Sequence, residues 1–215
     1  MPAQIAKNEA TRAALLKATG EVIGELGFAK ATIDAITQRA GIAHGAFYHY
    51  FSSRQHAFDE VLHDLGQKLI EFISAEVKDS HDIMELERRG FAANIAFSEK
   101  HVEMHRIMIE AELHAPEAYA AFMKRLRDRY VASLRRSMPR GELAHFDVDE
   151  LETVAVLLMG MRRAFLHAYC LDGWTLKTPP PQVFKTFLKF ASQGLQPKSA
   201  DATAVSKPHK DDSAT

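Results

Sequence analysis

Features of secreted and membrane proteins are scarce in this sequence of 215 residues. It has one cysteine, Cys170, so no disulfide can form within the chain and a secreted disulfide scaffold is excluded. No apolar run approaches the roughly 20 residues that a membrane-spanning helix needs. The N-terminal sequence also lacks the apolar stretch of a signal peptide. We therefore expect a cytoplasmic protein with no membrane partner.

The sequence also has little net charge. It contains 27 Lys and Arg against 28 Asp and Glu, a formal net charge of −1. A global field that would attract a nucleic acid or a membrane is thus missing, and any site for a polyanion must be a local patch. Hydrophobic residues make up 47% and charged residues 26%, which is typical of a globular protein with a buried core.

Strand-like alternation is absent, and apolar residues follow the helical period almost everywhere. Glycine, proline and capping residues divide this pattern, which predicts an all-α fold of about nine helices. The predicted helices cover residues 8–26, 32–39, 43–49, a long helix after Ser52 or Ser53, 82–98, 101–114, 117–138, 148–171 and 181–194. Residues 197–215 are poor in large apolar side chains, and we expect them to form a disordered tail.

The most informative segment is TIDAITQRAGIAHGAFYHYF, from Thr32 to Phe51. Two short helices joined by a tight turn at Gly41 form a helix-turn-helix. Glycine tolerates the positive φ that such a turn usually needs, and small Ala40 lets the helix axes approach closely. The residues that follow the turn, at 43–46, are small or short, so they can come close to a phosphate or a base edge.

Residues 12–58 resemble the DNA-binding domain of the TetR family of transcriptional regulators. The resemblance is carried by the pattern GF-x3-TI-x2-I-x3-AGI-x2-GAFYHYF, which begins at Gly27, and by Leu15–Ala18 in the first helix. It implies an N-terminal three-helix DNA-binding domain over 1–52. It also implies a helical domain for ligand binding and dimerisation over 53–196.

The resemblance implies roles for the matching residues. Thr32 and Tyr48 would contact phosphates, and His44 would face the major groove. Arg54 stands where the family usually has a lysine and would keep its phosphate-facing charge. Alternatively, His44 and His49 are surface residues that take no part in DNA binding. The full set of expected DNA contacts is Thr32, Ala43, His44, Gly45, Ala46, Tyr48, His49 and Arg54.

Residues 82–172 are rich in methionine and aromatic side chains, which favours a helix-bundle core and, with the resemblance, a cavity for a small apolar or anionic effector. Arg162 is the polar residue expected to reach the ligand. A buried arginine needs an acidic side chain or an anionic ligand as partner. The expected ligand-binding residues are Phe97, Met104, Met108, Tyr119, Met123, Met159, Arg162, Phe165 and Tyr169.

His101 and His105 have the i, i+4 spacing that can hold a divalent metal on one helix face. The HExxH pattern of metalloproteases is absent, because Glu103 lies in the wrong place within HVEMH. We therefore expect no bound metal, no cofactor and no catalysis.

The last two predicted helices each carry an apolar stripe, and two such helices from each subunit can form a self-complementary patch. The alternative is that they pack only within one subunit. The expected dimer contacts are Leu151, Val154, Leu158, Phe165, Phe184, Phe187 and Leu188.

These features together favour a homodimeric transcriptional repressor that a small-molecule effector releases from a palindromic operator in double-stranded DNA. An activator or a ligand-independent regulator is the alternative within this class. Less favoured alternatives are an all-helical metal-dependent enzyme and a helical interaction protein that has lost DNA binding. The operator, the regulated genes and the effector are not encoded in a recognisable pattern.

Overall fold

The computed structural model describes residues 2–196, except the side chains of residues 2–4 and Thr175. Within this range the fold is helical, which confirms the predicted all-α class. The predicted tail, 197–215, lies outside the described residues. The nine α-helices of the described range are α1 (Pro2–Leu26), α2 (Ile33–Ala40), α3 (His44–Phe47), α4 (Arg54–Val77), α5 (Ile83–Lys100), α6 (Met104–His114), α7 (Pro116–Ser137), α8 (Leu151–Phe165) and α9 (Pro181–Leu195).

Side-chain caps explain where several helices begin. The Thr32 hydroxyl accepts a hydrogen bond from the Ala35 N–H (3.1 Å), and the Ser53 hydroxyl accepts one from the His56 N–H (3.0 Å). Each cap satisfies one of the N–H groups that a helix start leaves without a partner. The predicted caps of α2 and α4 are therefore confirmed, with Ser53 rather than Ser52 capping α4.

The C-terminal part of the fold differs from the single helix predicted over 148–171. A 3-10 turn at Val148–Glu150 precedes α8, and a π-helical turn at Leu166–Cys170 follows it. The chain then forms an antiparallel hairpin of two very short strands, β1 (Leu171–Asp172) and β2 (Thr175–Leu176). Strands of two residues are too short to produce a visible alternation in the sequence.

The N-terminal helices and the start of the larger domain share one hydrophobic core. Leu15, Ile36 and Phe47 from α1, α2 and α3 pack in the same cluster as Phe58 of α4 and Ile107 of α6. All five side chains are fully buried. Their burial packs α1, α2 and α3 against α4 and α6 in one continuous core.

Two further clusters build the rest of the helical body. One joins α5, α7, α8 and α9 around Ile83, Leu134 and Leu158. The other packs Phe91 of α5 against Phe165 of α8 and Phe187 of α9. None of the helices in the described range is both long and apolar enough to cross a bilayer.

Candidate nucleic-acid interface and cavity

The turn between α2 and α3 has the geometry that the sequence predicted. Gly41 adopts a left-handed conformation with φ of 67°, and its N–H bonds to carbonyls in the last turn of α2. A Cβ at this position would meet no atom within 4 Å. The backbone conformation alone, rather than lack of space, therefore favours glycine here.

Helix α3 is a single turn with one buried side and one exposed side. Phe47 is fully buried and anchors it, while His44 and Gly45 are exposed. Tyr48, the residue that follows α3, is 54% exposed, which leaves its hydroxyl free to reach outward. A Cβ on Gly45 would also meet open space, so the exposed side has a low profile. The structure brings together most of the expected contact residues, namely Ala43, His44, Gly45, Tyr48 and His49, on one exposed surface.

One polar contact on this surface was not predicted. The His44 Nδ1 lies 2.6 Å from Oδ1 of Asp34, an exposed residue in the first turn of α2. A carboxylate can only accept, so Nδ1 carries the proton and donates it. In the neutral ring, Nε2 is then a hydrogen-bond acceptor. The sequence separation of ten residues has no pattern that would reveal this pair.

The structure corrects the expectation for Arg54. Its Nη1 donates hydrogen bonds to the carbonyls of Phe28 (3.0 Å) and Ala31 (3.1 Å), and its guanidinium lies 4.3 Å from the centre of the Phe28 ring. In the 3-10 turn at Phe28–Lys30 the Phe28 carbonyl also accepts a hydrogen bond from the Ala31 N–H, and the arginine adds a side-chain donor to it and to the Ala31 carbonyl. Arg54 therefore ties α4 to the segment between α1 and α2 and does not extend toward a phosphate.

A cavity of about 1050 Å³ lies between α4, α5, α6, α7 and α8. It contains most of the predicted ligand-binding residues: Met104, Met108, Tyr119, Met123, Met159 and Arg162. Three others lie elsewhere. Phe97 is buried against Phe72, Phe165 belongs to the aromatic core of α5 and α9, and Tyr169 is 55% exposed. From sequence alone, core residues and cavity residues in a helical body look the same.

Arg162 lies in the cavity wall with a buried acidic partner that the sequence did not identify. Its Nη2 lies 2.7 Å from Oε2 of Glu87, which is fully buried, and Tyr130 donates its hydroxyl to the same carboxyl group. Burial, with the charge of Glu87, raises the pKa of Tyr130 well above its ordinary value. Burial alone would lower the pKa of Arg162, but the charge of Glu87 outweighs it and raises the pKa, so Arg162 stays protonated.

The opening of the cavity has a second polar network. Arg163 lies 2.5 Å from Glu112, and the hydroxyl of Tyr119 donates to the same carboxylate at 2.7 Å. The hydrogen bonds from Arg163 and Tyr119 lower the pKa of Glu112. Nearby, His105 also lines the cavity, and burial together with the charges of His167 and Arg163 lowers its pKa.

The two histidines with metal-ligand spacing do not form a site. His101 stacks on Phe97 and its Nδ1 lies 3.3 Å from Glu103, whereas His105 lies beside His167. Among the described residues, no three His, Cys, Asp or Glu side chains come close enough to hold a metal ion.

The apolar stripes predicted as dimer contacts belong largely to the interior of the subunit. Leu151, Val154, Leu158, Phe165 and Phe187 are all at most 8% exposed, because they pack against α5, α7 and each other. Phe184 and Leu188 are only partly buried. Other apolar residues of the last two helices are exposed. Leu157 and Phe190 lie outside the cavity, whereas Val156, Gly160 and Ala164 also line it.

Comparisons with known proteins agree with this geometry. Residues 15–61 match the family model described as bacterial regulatory proteins, tetR family. The HTH-type transcriptional regulator BetI 1 of Chromohalobacter salexigens is 28% identical over 151 residues, which is 61% of this chain and 68% of the relative.

Solved structures share most of the fold at low identity. A TetR family regulator from Marinobacter aquaeolei has a TM-score of 0.65 at 16% identity and covers 88% of this chain and 97% of its own. The regulator FadR from Bacillus subtilis, in complex with stearoyl-CoA, has a TM-score of 0.68 at 16% identity and covers 85% and 98%.

Proposed function

We propose that this chain, which matches the TetR family model over residues 15–61, is a DNA-binding transcriptional regulator that acts as a homodimeric repressor and that a small-molecule effector releases from a palindromic operator. The observation that carries the proposal is the exposed, low-profile side of α3 in a protein that also contains a large apolar cavity. We further propose the division into domains at residues 52 and 53 and a cytoplasmic location, where the operator DNA would be available.

The DNA-binding surface is proposed to enter the major groove with α3. Gly45 and Ala43 present almost no side chain, so the backbone can approach a base edge. Tyr48 would donate its hydroxyl to a phosphate from one side, and the exposed Thr32 would contact a phosphate at the start of α2. Such contacts give affinity that falls as salt rises.

His44 is proposed to read a base. Because the Nδ1–H donates its hydrogen bond to Asp34, the neutral ring offers Nε2 as an acceptor. In the major groove the exposed donors are the amino groups of cytosine and adenine. His44 would therefore favour one of these bases, with His49 and Ala46 contributing neighbouring contacts.

A single four-residue recognition helix makes few contacts, so a second copy is needed for a stable complex. We propose that α8 and α9 form the dimer interface through their exposed side, at Leu157, Gly160, Ala164 and Phe190. The small residues at 160 and 164 let two α8 helices approach closely, while Leu157 and Phe190 provide apolar area that water would otherwise cover.

The cavity is proposed to hold the effector. Methionines line much of its wall and adapt to the shape of an apolar molecule. The structurally similar FadR was solved with stearoyl-CoA bound, which supports a ligand with a large apolar part. Effector release then requires that the effector binds one conformation of the dimer more tightly than the DNA-binding one.

Fluorescence anisotropy with a labelled duplex tests this proposal. The duplex is selected from a random library by the purified chain, and binding is measured at two salt concentrations. We expect tight, salt-sensitive binding to a palindrome, which His44→Ala weakens by about tenfold. His81→Ala is the matched control, because it removes an exposed histidine far from α3 and should bind normally. Failure to select any duplex at low salt would contradict DNA binding by this chain.

A reporter driven by the selected operator separates the alternatives. Lower expression in the presence of the chain indicates a repressor, and higher expression indicates an activator. If no small molecule that raises the melting temperature also changes DNA affinity, the regulator is ligand-independent.

A further inference from the structure

We propose that the part of the effector buried in the cavity carries no charge: it is an apolar molecule or chain with a hydroxyl, carbonyl or ester oxygen, not a carboxylate. This inference rests on the proposed function, because it names the ligand class for the same cavity. It follows from how the charges of the cavity wall are already neutralised within the protein.

Arg162 is a buried charge in the wall, and its charge is already paired within the protein. Glu87, with no exposed surface, pairs with it at 2.7 Å, and its guanidinium lies 4.8 Å from the ring centre of Tyr130 and 5.4 Å from that of Phe91. A ligand carboxylate at this end would place a second negative charge beside the buried carboxylate of Glu87. A ligand ammonium would meet Arg162. Either charge would lose its hydration without gaining an unpaired opposite charge.

The charges closer to the opening are also paired. Arg163 pairs with Glu112, and Arg127 lies 3.2 Å from Glu152. Arg129 is the exception in the wall, since it has no acidic partner within the described residues. Its side chain is exposed to water and its Nη2 lies 3.4 Å from the Ser74 hydroxyl. Solvent therefore screens the one unpaired charge, which lies at the rim rather than inside.

The remaining polar atoms favour an uncharged oxygen. His105 is partly buried among neighbours that disfavour its protonation, so it adds no positive charge near neutral pH. Its Nε2 and the Nε of Arg162 are both buried, and neither has a hydrogen-bond partner in the described part of the chain. A neutral hydroxyl can donate or accept, and an ester or carbonyl oxygen can accept from the arginine N–H.

The rest of the wall is apolar and flexible. Met104, Met108, Met123 and Met159 line the cavity together with Leu69 and other aliphatic side chains. The volume of about 1050 Å³ is at the large end of small-molecule sites. Methionine side chains can repack around ligands of different shape, so we expect the cavity to select ligands by charge more strongly than by shape.

Binding of matched probes to the full chain tests the inference. The probes are decanol, methyl decanoate and decanoate, each below its solubility limit at pH 7.5. The readouts are the fluorescence of Trp174, which is the only tryptophan and lies beside the cavity residue His105, and the melting temperature. We expect the two neutral probes to bind at least about tenfold more tightly than decanoate, because the anion finds no buried cation that is not already paired.

Glu87→Gln is the decisive variant, because it frees the charge of Arg162 while keeping the shape of the side chain. Relative to decanol, decanoate should then gain about tenfold or more in affinity. Glu9→Gln is the matched control: it removes an exposed acid from α1, a helix that contributes no residue to the cavity, and should leave the preference for neutral probes unchanged. The wild-type comparison decides the question alone if Glu87→Gln does not fold.

Equal or tighter binding of decanoate by the wild-type chain overturns the inference, and so does a lack of binding by both neutral probes. Measuring DNA binding with the same preparation distinguishes a failure of this inference from a failure of the proposed function. If decanoate binds best and releases DNA, the chain is an effector-released repressor but its ligand is charged. If the neutral probes bind but DNA affinity does not change, the ligand class is supported and effector release is contradicted.

Discussion

The contact between α1 and α6 offers the sharpest test of the packing. Gly24 of α1 lies against Glu103, just before α6, so that a Cβ at position 24 would lie 2.5 Å from Glu103 Cβ and 3.0 Å from its Cα. These atoms are fixed to the backbone and cannot rotate away. One turn earlier, a Cβ on Gly20 would lie 3.6 Å or more from its neighbours, which is ordinary contact. Alanine therefore fits at position 20 and collides at position 24.

The magnitudes follow from two opposing effects. Replacing glycine with alanine inside a helix stabilises it by about 0.5–1 kcal/mol. Gly20→Ala should show this gain. Gly24→Ala should have a smaller gain near the helix end and lose about 1–3 kcal/mol by overpacking. Subtracting the unfolding free energies of the two variants cancels most of the helix-propensity gain. What remains is the overpacking cost of about 1–3 kcal/mol.

Urea unfolding measures this difference. We expect the midpoint of Gly20→Ala at or above that of the wild-type chain and the midpoint of Gly24→Ala below it, with similar slopes. Measurements at several protein concentrations separate subunit stability from dimer dissociation. If Gly24→Ala is as stable as Gly20→Ala, the close approach of α1 and α6 described here is wrong.

Three further predictions concern the turn, the cavity and the dimer. Gly41→Ala should destabilise the chain by about 1 kcal/mol in urea unfolding, because alanine disfavours a φ of 67°; unchanged stability would contradict the left-handed turn. Because burial lowers the pKa of His105, its contribution to stability is complete above the ordinary histidine value and is lost as the pH falls toward the folded-state pKa. The melting temperature should therefore drop less between pH 7.5 and 5.5 in His105→Gln than in the wild-type chain, and an equal drop would refute this account. Phe190→Asp should produce monomers in sedimentation experiments, since a charge at this 67% exposed side chain would be buried in the proposed interface; an intact dimer would remove α9 from that interface.

Local signals were sufficient for the helices and for the turn. Thr32 and Ser53 cap α2 and α4 as their side-chain chemistry predicts, and Gly41 adopts the positive φ that the tight turn requires. Each of these features depends on atoms within a few residues of one another, so the order of residues is enough to predict them.

Contacts between distant residues could not be predicted in the same way. Glu87 pairs with Arg162 across 75 positions, and the expected need for an acidic partner did not identify which acid. Arg54 was expected at a phosphate, but the carbonyls of a 3-10 turn 23 to 26 residues earlier bind it. Such pairs depend on how the helices pack, and helix periodicity does not specify that packing.

Which apolar face of α8 would be exposed could not be predicted from the sequence either. Its sequence contains two apolar stripes, one through Leu151, Val154 and Leu158 and another through Leu157 and Ala164. Both have helical spacing, and the more hydrophobic one was expected to face a partner. The structure buries it within the subunit, because the larger aliphatic side chains gain most from leaving water. The stripe of smaller residues is left exposed, and it is the one available for a second copy.

The cavity and the DNA-binding surface are connected through two helices, which gives the proposed effector a route to α3. On α6, Met108 lines the cavity, while Arg106 donates a 2.6 Å hydrogen bond to the Glu25 carbonyl near the end of α1. On α4, Leu69 lines the cavity, while Arg54 holds the segment after α1. Because both helices carry cavity residues and anchors of the first three helices, we expect a ligand that displaces either of them to shift α3 as well. In a dimer that shift changes the distance between the two copies of α3, and a palindrome with fixed spacing then binds one state only.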